Sequence, residues 1–411
     1  MKKLKLLFAA CALLISAGVQ AQSWTGSEVG EGYALLYNVG TDQYFTRGNG
    51  WGTQASIGGE GAAMTVYLQA FDGKYKIRTQ NTYGVECLSG GTVYTDQSRG
   101  KNSTWTFQEI DATNHIYNII SDNGHGDGTG KYLTAEGGES TIVGSGSDGT
   151  IDYAKWKVYL YTDQQAKLQT AMKNATAEAP VDVTAYIKDA HFGAFSDIAL
   201  ECWSKTVTNL NLNGGALENP CAETYRNGGG KIFQTIAVPN GTYKVLCQGY
   251  YRQDGGSTPS YLYANDETPV ALKVMNSNNE GTEGSMNSAS ASFSAGYYEN
   301  EIQVVVTGKS LTIGIEGQDG NWTCFDNFRL MYLGPLDLSE AIAAYETALG
   351  GAKDVDQNST MNKDALKNLQ DAISDYSNVD NTNQDALSSA TIALNEATAN
   401  ATASIANYAE A

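Results

Sequence analysis

The sequence is poor in the residues from which several kinds of site are built. Histidine occurs 3 times in 411 residues, at the scattered positions His115, His125 and His191, and there is no Cys-x-x-Cys pair. This argues against a zinc site built from clustered Cys and His. Lys+Arg number 26 against 45 Asp+Glu, a formal charge of −19. A binder of phosphate backbones needs clustered basic residues, so nucleic acid is not the expected partner. The Gly-x-Ser-x-Gly elbow, the phosphate-binding P-loop and the His-Glu-x-x-His pattern are all missing, so no common catalytic motif names a site. Proline is scarce (6) while glycine is abundant (45), a combination that fits β-structure with many tight turns. The chain is 41% hydrophobic and 10% aromatic, enough to build cores rather than remain disordered. Its length predicts two or three folded units.

The one extended apolar stretch is at the start. Lys2, Lys3 and Lys5 precede a run from Leu6 to Ile15, with small residues near Ala21. The run is too short for the ~20 residues of a membrane span. It reads as a secretory signal peptide over residues 1–22, cleaved near Ala21 or Gln22, which predicts a secreted, periplasmic or surface-exposed protein. Loss of those lysines makes the exported chain more acidic still. Cys87, Cys202, Cys221, Cys247 and Cys324 follow the leader. Their odd number leaves at least one unpaired. A Cys202–Cys221 bridge and a set of buried free thiols are both open.

Residues 24–161 carry a threefold pattern. Tyr33, Tyr75 and Tyr117 each open a strand-like run, and they are spaced by 42 residues. Second strands are expected at 43–46, 86–89 and 131–134, and further strands at 65–68, 105–108 and 156–159, with Gly-rich turns between. This architecture resembles a β-trefoil, as in ricin-type lectins. The Gln-x-Trp element of those lectins is missing, because Ser103 and Ala154 stand two residues before Trp105 and Trp156. Both tryptophans are therefore expected in the core. The segment Gly144–Gly149 matches Gly-x-Gly-x-x-Gly but is followed by strand-like residues, so a hairpin loop is expected rather than a dinucleotide site.

Residues 162–180 read as a connecting helix. Leu168, Ala171, Met172 and Ala175 share a face from Thr162 to Thr176, and Pro180 ends it. From Val181 the pattern is β again. Pro239-Asn240-Gly241 predicts a tight turn between two strands. Beyond it Tyr243, Val245, Cys247, Gly249 and Tyr251 alternate with Lys244, Leu246, Gln248, Tyr250 and Arg252. Strands at this spacing predict a β-sandwich over 181–334. Ala222-Glu223-Thr224-Tyr225, the stretch from Gln234 to Tyr243, Gln248 to Arg252 and Trp322 to Leu330 together resemble the galactose-binding-like jelly rolls that serve as carbohydrate-binding modules in exported bacterial proteins. The resemblance implies a glycan ligand. A pyranose needs an aromatic platform for its C–H face and paired donors and acceptors for its hydroxyls. Trp203, Tyr225 and Trp322 are the candidate platforms, and Arg226, Asn227 and Arg252 the polar partners. The same resemblance implies a structural calcium, with Glu223 and Asp326 at the matching positions.

Residues 336–411 turn to Ala, Asn, Asp and Ser. Leu338, Ile342, Tyr345 and Leu349 share one helical face, and Leu366, Leu369, Ile373 and Tyr376 a second. Leu387, Leu394, Ala401, Ile405 and Tyr408 share a third. Gly350-Gly351 is expected to separate the first two helices, and Thr382 to Asp385 to cap the third. The prediction is a three-helix bundle. The expected whole is thus a mainly β, multidomain chain: β-trefoil, galactose-binding-like sandwich, small bundle. The expected function is a non-catalytic carbohydrate-binding or surface-adhesion protein, with surface proteins as further partners. A structural scaffold and an accessory part of an exported glycoside hydrolase are the alternatives.

Overall fold

The computed structural model describes residues 29–48, 53–88, 90–98, 100, 102–123, 128–137, 142–226, 229–275, 284–357 and 360–409. The expected leader lies outside them. The chain is mainly β and divides into two compact units, residues 1–334 and 335–411.

Twelve strands form one antiparallel sheet between residues 32 and 160. They are β1 (Gly32–Asn38), β2 (Gln43–Arg47), β3 (Ala55–Gly58), β4 (Val66–Phe71), β5 (Lys74–Arg78), β6 (Gly84–Cys87), β7 (Val93–Gln97), β8 (Trp105–Asp111), β9 (Ile116–Ser121), β10 (Tyr132–Ala135), β11 (Val143–Gly146) and β12 (Lys155–Leu160). β1 pairs with β4, β4 with β5, β5 with β8, β8 with β9, β9 with β12, and β12 again with β1. Six strands therefore close on themselves, which removes their free edges. The remaining six are three hairpins, joined to one another by bridges at Gln54↔Tyr94, Ser56↔Ile142 and Thr92↔Gly144. The 42-residue spacing becomes register: Tyr33 faces Tyr67, Tyr75 faces Trp105 and Tyr117 faces Trp156. Trp105 and Trp156 are buried, and their indole N–H groups donate to the carbonyls of Val85 (3.2 Å) and Leu133 (2.8 Å). The glycine-rich segment after Gly144 runs from β11 through a turn into β12.

Helix α1 (Tyr161–Met172) follows β12 directly and stops short of the expected Thr176. Its last apolar residue, Ala175, is reached through a tighter turn, with its N–H donating to Met172 O (3.2 Å). The next twelve strands are β13 (Val181–Asp182), β14 (Ser204–Lys205), β15 (Leu210–Gly214), β16 (Cys221–Arg226), β17 (Gly230–Ala237), β18 (Gly241–Gln253), β19 (Tyr261–Ala264), β20 (Val270–Ala271), β21 (Lys273–Val274), β22 (Glu299–Val306), β23 (Ser310–Gly317) and β24 (Asn321–Gly334). One sheet runs β15-β16-β24-β18-β21, with β13 added on β24 and β22 on β18; the other runs β14-β17-β23-β19-β20. One hydrophobic cluster draws on both, including Ile232, Leu262, Ile313 and Ile315 from one sheet and Val245, Cys247, Phe325 and Leu330 from the other. The Pro239-Asn240-Gly241 turn is present, but β17 and β18 belong to different sheets, so it crosses between layers instead of closing a hairpin. The expected alternation of β18 holds: Tyr243, Val245, Cys247 and Tyr251 face the shared core and Tyr250 faces away. Two helices flank the sheets, α2 (Ser196–Cys202) and α3 (Met286–Ser294). The five described cysteines are all buried and none is in a disulfide, so Cys202 and Cys221 are not bridged; they lie in two separate clusters.

The barrel and the two sheets are docked within one unit. Arg78 grips Glu201 with two bonds (2.5 and 2.8 Å), and Tyr33 donates to the same carboxylate (2.7 Å). Gly193 lies so close to the Ala63 carbonyl that no Cβ fits between them.

The second unit contains α4 (Ser339–Asp356), α5 (Lys363–Asp375) and α6 (Gln384–Ala409) around a core of Tyr345, Ala348, Ala352, Leu369, Leu387, Leu394 and Ala401. Helix α4 runs straight through Gly350-Gly351. Two glycines cost a helix ~1 kcal/mol each relative to Ala, and burial of Ala348 and Ala352 on either side offsets this. Asn383, not Thr382, caps α6: its Oδ1 accepts from the N–H groups of Asp385 (3.1 Å) and Ala386 (3.2 Å). Tyr408, expected on the apolar stripe, is 54% exposed. Among the described residues no helix is long and apolar enough to cross a membrane.

Gly193→Ala is expected to destabilise the larger unit by about 1–3 kcal/mol, because backbone must move to admit the methyl group. Calorimetry should show its transition lowered while that of residues 335–411 stays in place.

Candidate functional site

Three neighbouring strands bring the candidate residues into one row. β16 and β18 flank β24, and the registers place Tyr225 opposite Trp322 and Trp322 opposite Arg252. The next row on the same face is Glu223, Cys324 and Tyr250, because side chains two apart along a strand share a face. Trp322, Cys324 and Tyr250 of these rows join Cys221, Tyr298 and Phe293 in one apolar cluster on this face, with α3 carrying Phe293 and Tyr225 packed against its edge. The face is thus part apolar cluster and part polar, with Tyr225, Arg226, Arg252 and Glu223 at the cluster's edge.

Its polar groups are paired. Arg252 Nε and Nη2 donate to Asp254 Oδ1 and Oδ2, each at 2.6 Å. That fork holds the Asp254 carboxyl below its usual range and raises the Arg252 guanidinium. The Arg252 guanidinium carbon lies 4.6 Å from the Trp322 ring centre, and that of Arg226 lies 5.0 Å from Tyr225, both in cation–π range. Trp322 Nε1 donates to Glu223 Oε2 at 2.5 Å.

Tyr225, Arg226, Arg252, Trp322 and Glu223 therefore come together as one patch. Asn227 lies outside the described residues. Trp203 does not belong to the patch. It is 0% exposed, packs against Phe192 and Phe328 at 5.2 and 4.9 Å, and donates to Asp189 O (3.2 Å). It is a core residue of the two-sheet region and offers no face to a sugar. Trp322 also departs from expectation. At 4% exposure, with Arg252 over one side and Tyr250 at 5.6 Å, it supports the patch from below. The accessible ring is Tyr225. Asp254 was missed, although an acidic residue two positions after Arg252 at a strand end is a readable pairing signal.

No protein-family model matches the chain, and no curated protein matches it. Similar solved structures include a Polyporus squamosus lectin bound to an influenza-binding epitope (16% identity over 34% of this chain and 55% of the lectin, TM-score 0.27). A β-trefoil named BEL is similar at 12% identity over 33% of this chain and 99% of its own, TM-score 0.25. The carbohydrate-binding module TmCBM61, in complex with β-1,4-galactotriose, is similar at 17% identity over 36% of this chain and 97% of its own, TM-score 0.21. At these scores the likenesses carry no argument.

The expected calcium pair does not assemble as a site. Glu223 is committed to the Trp322 indole and to Asn211. Asp326 is fully buried, with neither carboxylate oxygen in a hydrogen bond of good geometry. Burial, and the nearby Asp189 carboxyl, push its pKa well up. Among the described residues no group of three or more His, Cys, Asp or Glu is placed to hold a metal.

Asp189 is a second buried acid. Its Oδ1 accepts from the Ala194 N–H (3.0 Å), and burial raises its pKa to about 7 despite the pull of Arg47. An unfolded Asp titrates near ~3.9. Between those pH values the folded chain keeps a proton that the unfolded chain gives up, so Asp189 stabilises fully below about pH 4. That contribution is lost as pH rises to about 7. The loss should be on the order of 4 kcal/mol. Asp189→Asn should flatten this part of the curve; denaturant titrations from pH 4 to 8 with the same slope in both proteins would contradict it.

Proposed function

We propose that this chain is a non-catalytic glycan-binding protein that holds saccharide on the β16-β24-β18 face. In this reading the region 32–160 is a β-trefoil and the two-sheet region a galactose-binding-like jelly roll. The helical unit is a three-helix bundle, and residues 1–22 direct export to the periplasm, the surface or the medium. The observation that carries the reading is the row Tyr225–Trp322–Arg252. It offers one accessible aromatic ring beside two guanidinium groups and the carboxylates of Asp254 and Glu223. A sugar ring stacked on Tyr225 would meet donors from Arg226 and Arg252 and acceptors from Asp254 within one patch. Such donor–acceptor pairs are strengthened by charge. Trp322 and Tyr225 are held by their packing in the apolar cluster on that face, which lowers the ordering cost of binding.

The test is calorimetry of the full chain against a panel of neutral oligosaccharides that includes β-1,4-galactotriose. At least one should bind. Tyr225→Ala should weaken it about tenfold, a loss of ~1.4 kcal/mol, and Arg226→Ala should weaken it less. Binding unchanged in both variants would remove the face from the account. Silence across the panel and a glycan array, with folded protein, would remove glycan binding altogether.

A further inference from the structure

A concavity lies where the barrel meets the two-sheet region. It measures about 260 Å³. Gln43, Thr46 and Arg47 line it from β2, Gly59 from the end of β3, and Leu217 and Glu218 from the loop between β15 and β16. None of these residues belongs to the Tyr225 face.

The walls of this cleft are held in place from both sides. Arg47 Nη2 donates to the carbonyl of Asn213, and its guanidinium carbon sits 5.2 Å from the ring centre of Phe195. Asn213 in turn donates to Ala194 O (2.5 Å). Beside the cleft, a Cβ on Gly61 would lie 2.5 Å from Asn219 Oδ1, and Asn219 is buried, with its Nδ2 donating to Ser290 O (3.4 Å). The loop carrying Leu217 and Glu218 is therefore seated on the barrel by the glycine at 61. Cavities formed at domain junctions are frequent ligand sites, and prearranged walls reduce the cost of binding.

The lining chemistry defines the ligand. Leu217 is 36% exposed and supplies an apolar surface. Glu218 supplies an acceptor, Gln43 both donor and acceptor, and Arg47 a guanidinium held in place by the Asn213 carbonyl. Opposite charges on the two walls favour a neutral, hydroxyl-rich molecule over an ion. The volume falls below the ~300 Å³ of the smallest drug-sized pockets and suits a single ring. We propose that this cleft is a second saccharide site that takes one neutral pyranose unit, and that it exists only while the barrel and the sheets are docked. It shares its ligand class with the reading above and none of its residues.

Gly59 allows a clean block. Its backbone is extended (φ −64°, ψ 175°), and a Cβ there would meet nothing within 4 Å, so a large side chain is tolerated. The full-length chain is titrated with methyl β-galactopyranoside, methyl β-glucopyranoside and methyl α-mannopyranoside by saturation-transfer NMR and calorimetry. At least one should bind, and Gly59→Trp and Glu218→Gln should each weaken it tenfold or more, with unfolding temperatures unchanged. No binding of any of the three to the wild-type chain would overturn the cleft while leaving the oligosaccharide test of the sheet face intact. A loss confined to Tyr225→Ala, with Gly59→Trp and Glu218→Gln at wild-type affinity, would assign the sugar to the sheet face and likewise overturn the cleft.

Discussion

Strand β24 changes sides at Asn327, and both faces of the larger sheet depend on that change. Asn327 has φ +50°, a left-handed conformation that Asn tolerates better than most residues. The strand pairs with β16 on one side and β18 on the other, and β18 shifts register between Leu246 and Gln248 to match. Consequently Phe325 and Phe328 both enter the core between the sheets, although their spacing of three would place them on opposite faces of a regular strand. Trp322 and Cys324 point the other way, into the cluster against which Tyr225 packs. A regular strand would give up either the Phe328–Trp203 contact or the aromatic base of the row.

The same irregularity carries a buried carboxyl group. Asp326 sits at the change of face, fully buried and without a well-formed hydrogen bond. Burying a carboxylate is expensive, and burial pushes the Asp326 pKa well above the usual carboxylate range. Asp189 repeats this at the joint between barrel and sheets. In a chain of net charge −19, basic side chains are few, and several hold structure together. Arg78 secures the docking through Glu201, Arg47 fixes one wall of the cleft, and Arg252 covers Trp322.

Much of the larger unit was legible because its signals are local. The tyrosines at 33, 75 and 117 repeat at a fixed interval, so three copies of one strand pattern could be counted directly. The alternation along β18 was equally plain. What a local pattern does not carry is the partner of each strand. The turn at Pro239 was read correctly as a turn, yet the pairing of β17 with β23 and of β18 with β24 lies far away in sequence. Trp203 was misjudged for the same reason: its partners Phe192 and Phe328 close over it only in the folded chain. Glycine at 350 and 351 looked like a helix break, but tertiary burial of the flanking alanines overrides a propensity of that size. The row of the candidate site was found residue by residue. Its true arrangement, with Tyr225 outermost and Trp322 beneath Arg252, follows from registers that no spacing reveals.

The central claim is that saccharide rests on Tyr225 between Arg226 and the Arg252–Asp254 pair. A crystal structure of the full chain with a bound oligosaccharide tests it most directly. A sugar ring should be stacked on Tyr225, with hydroxyls in hydrogen-bond contact with Arg226 and Asp254 and with Trp322 still covered. Sugar bound elsewhere on the two-sheet region, with the Tyr225 row bare at saturating ligand, would contradict it.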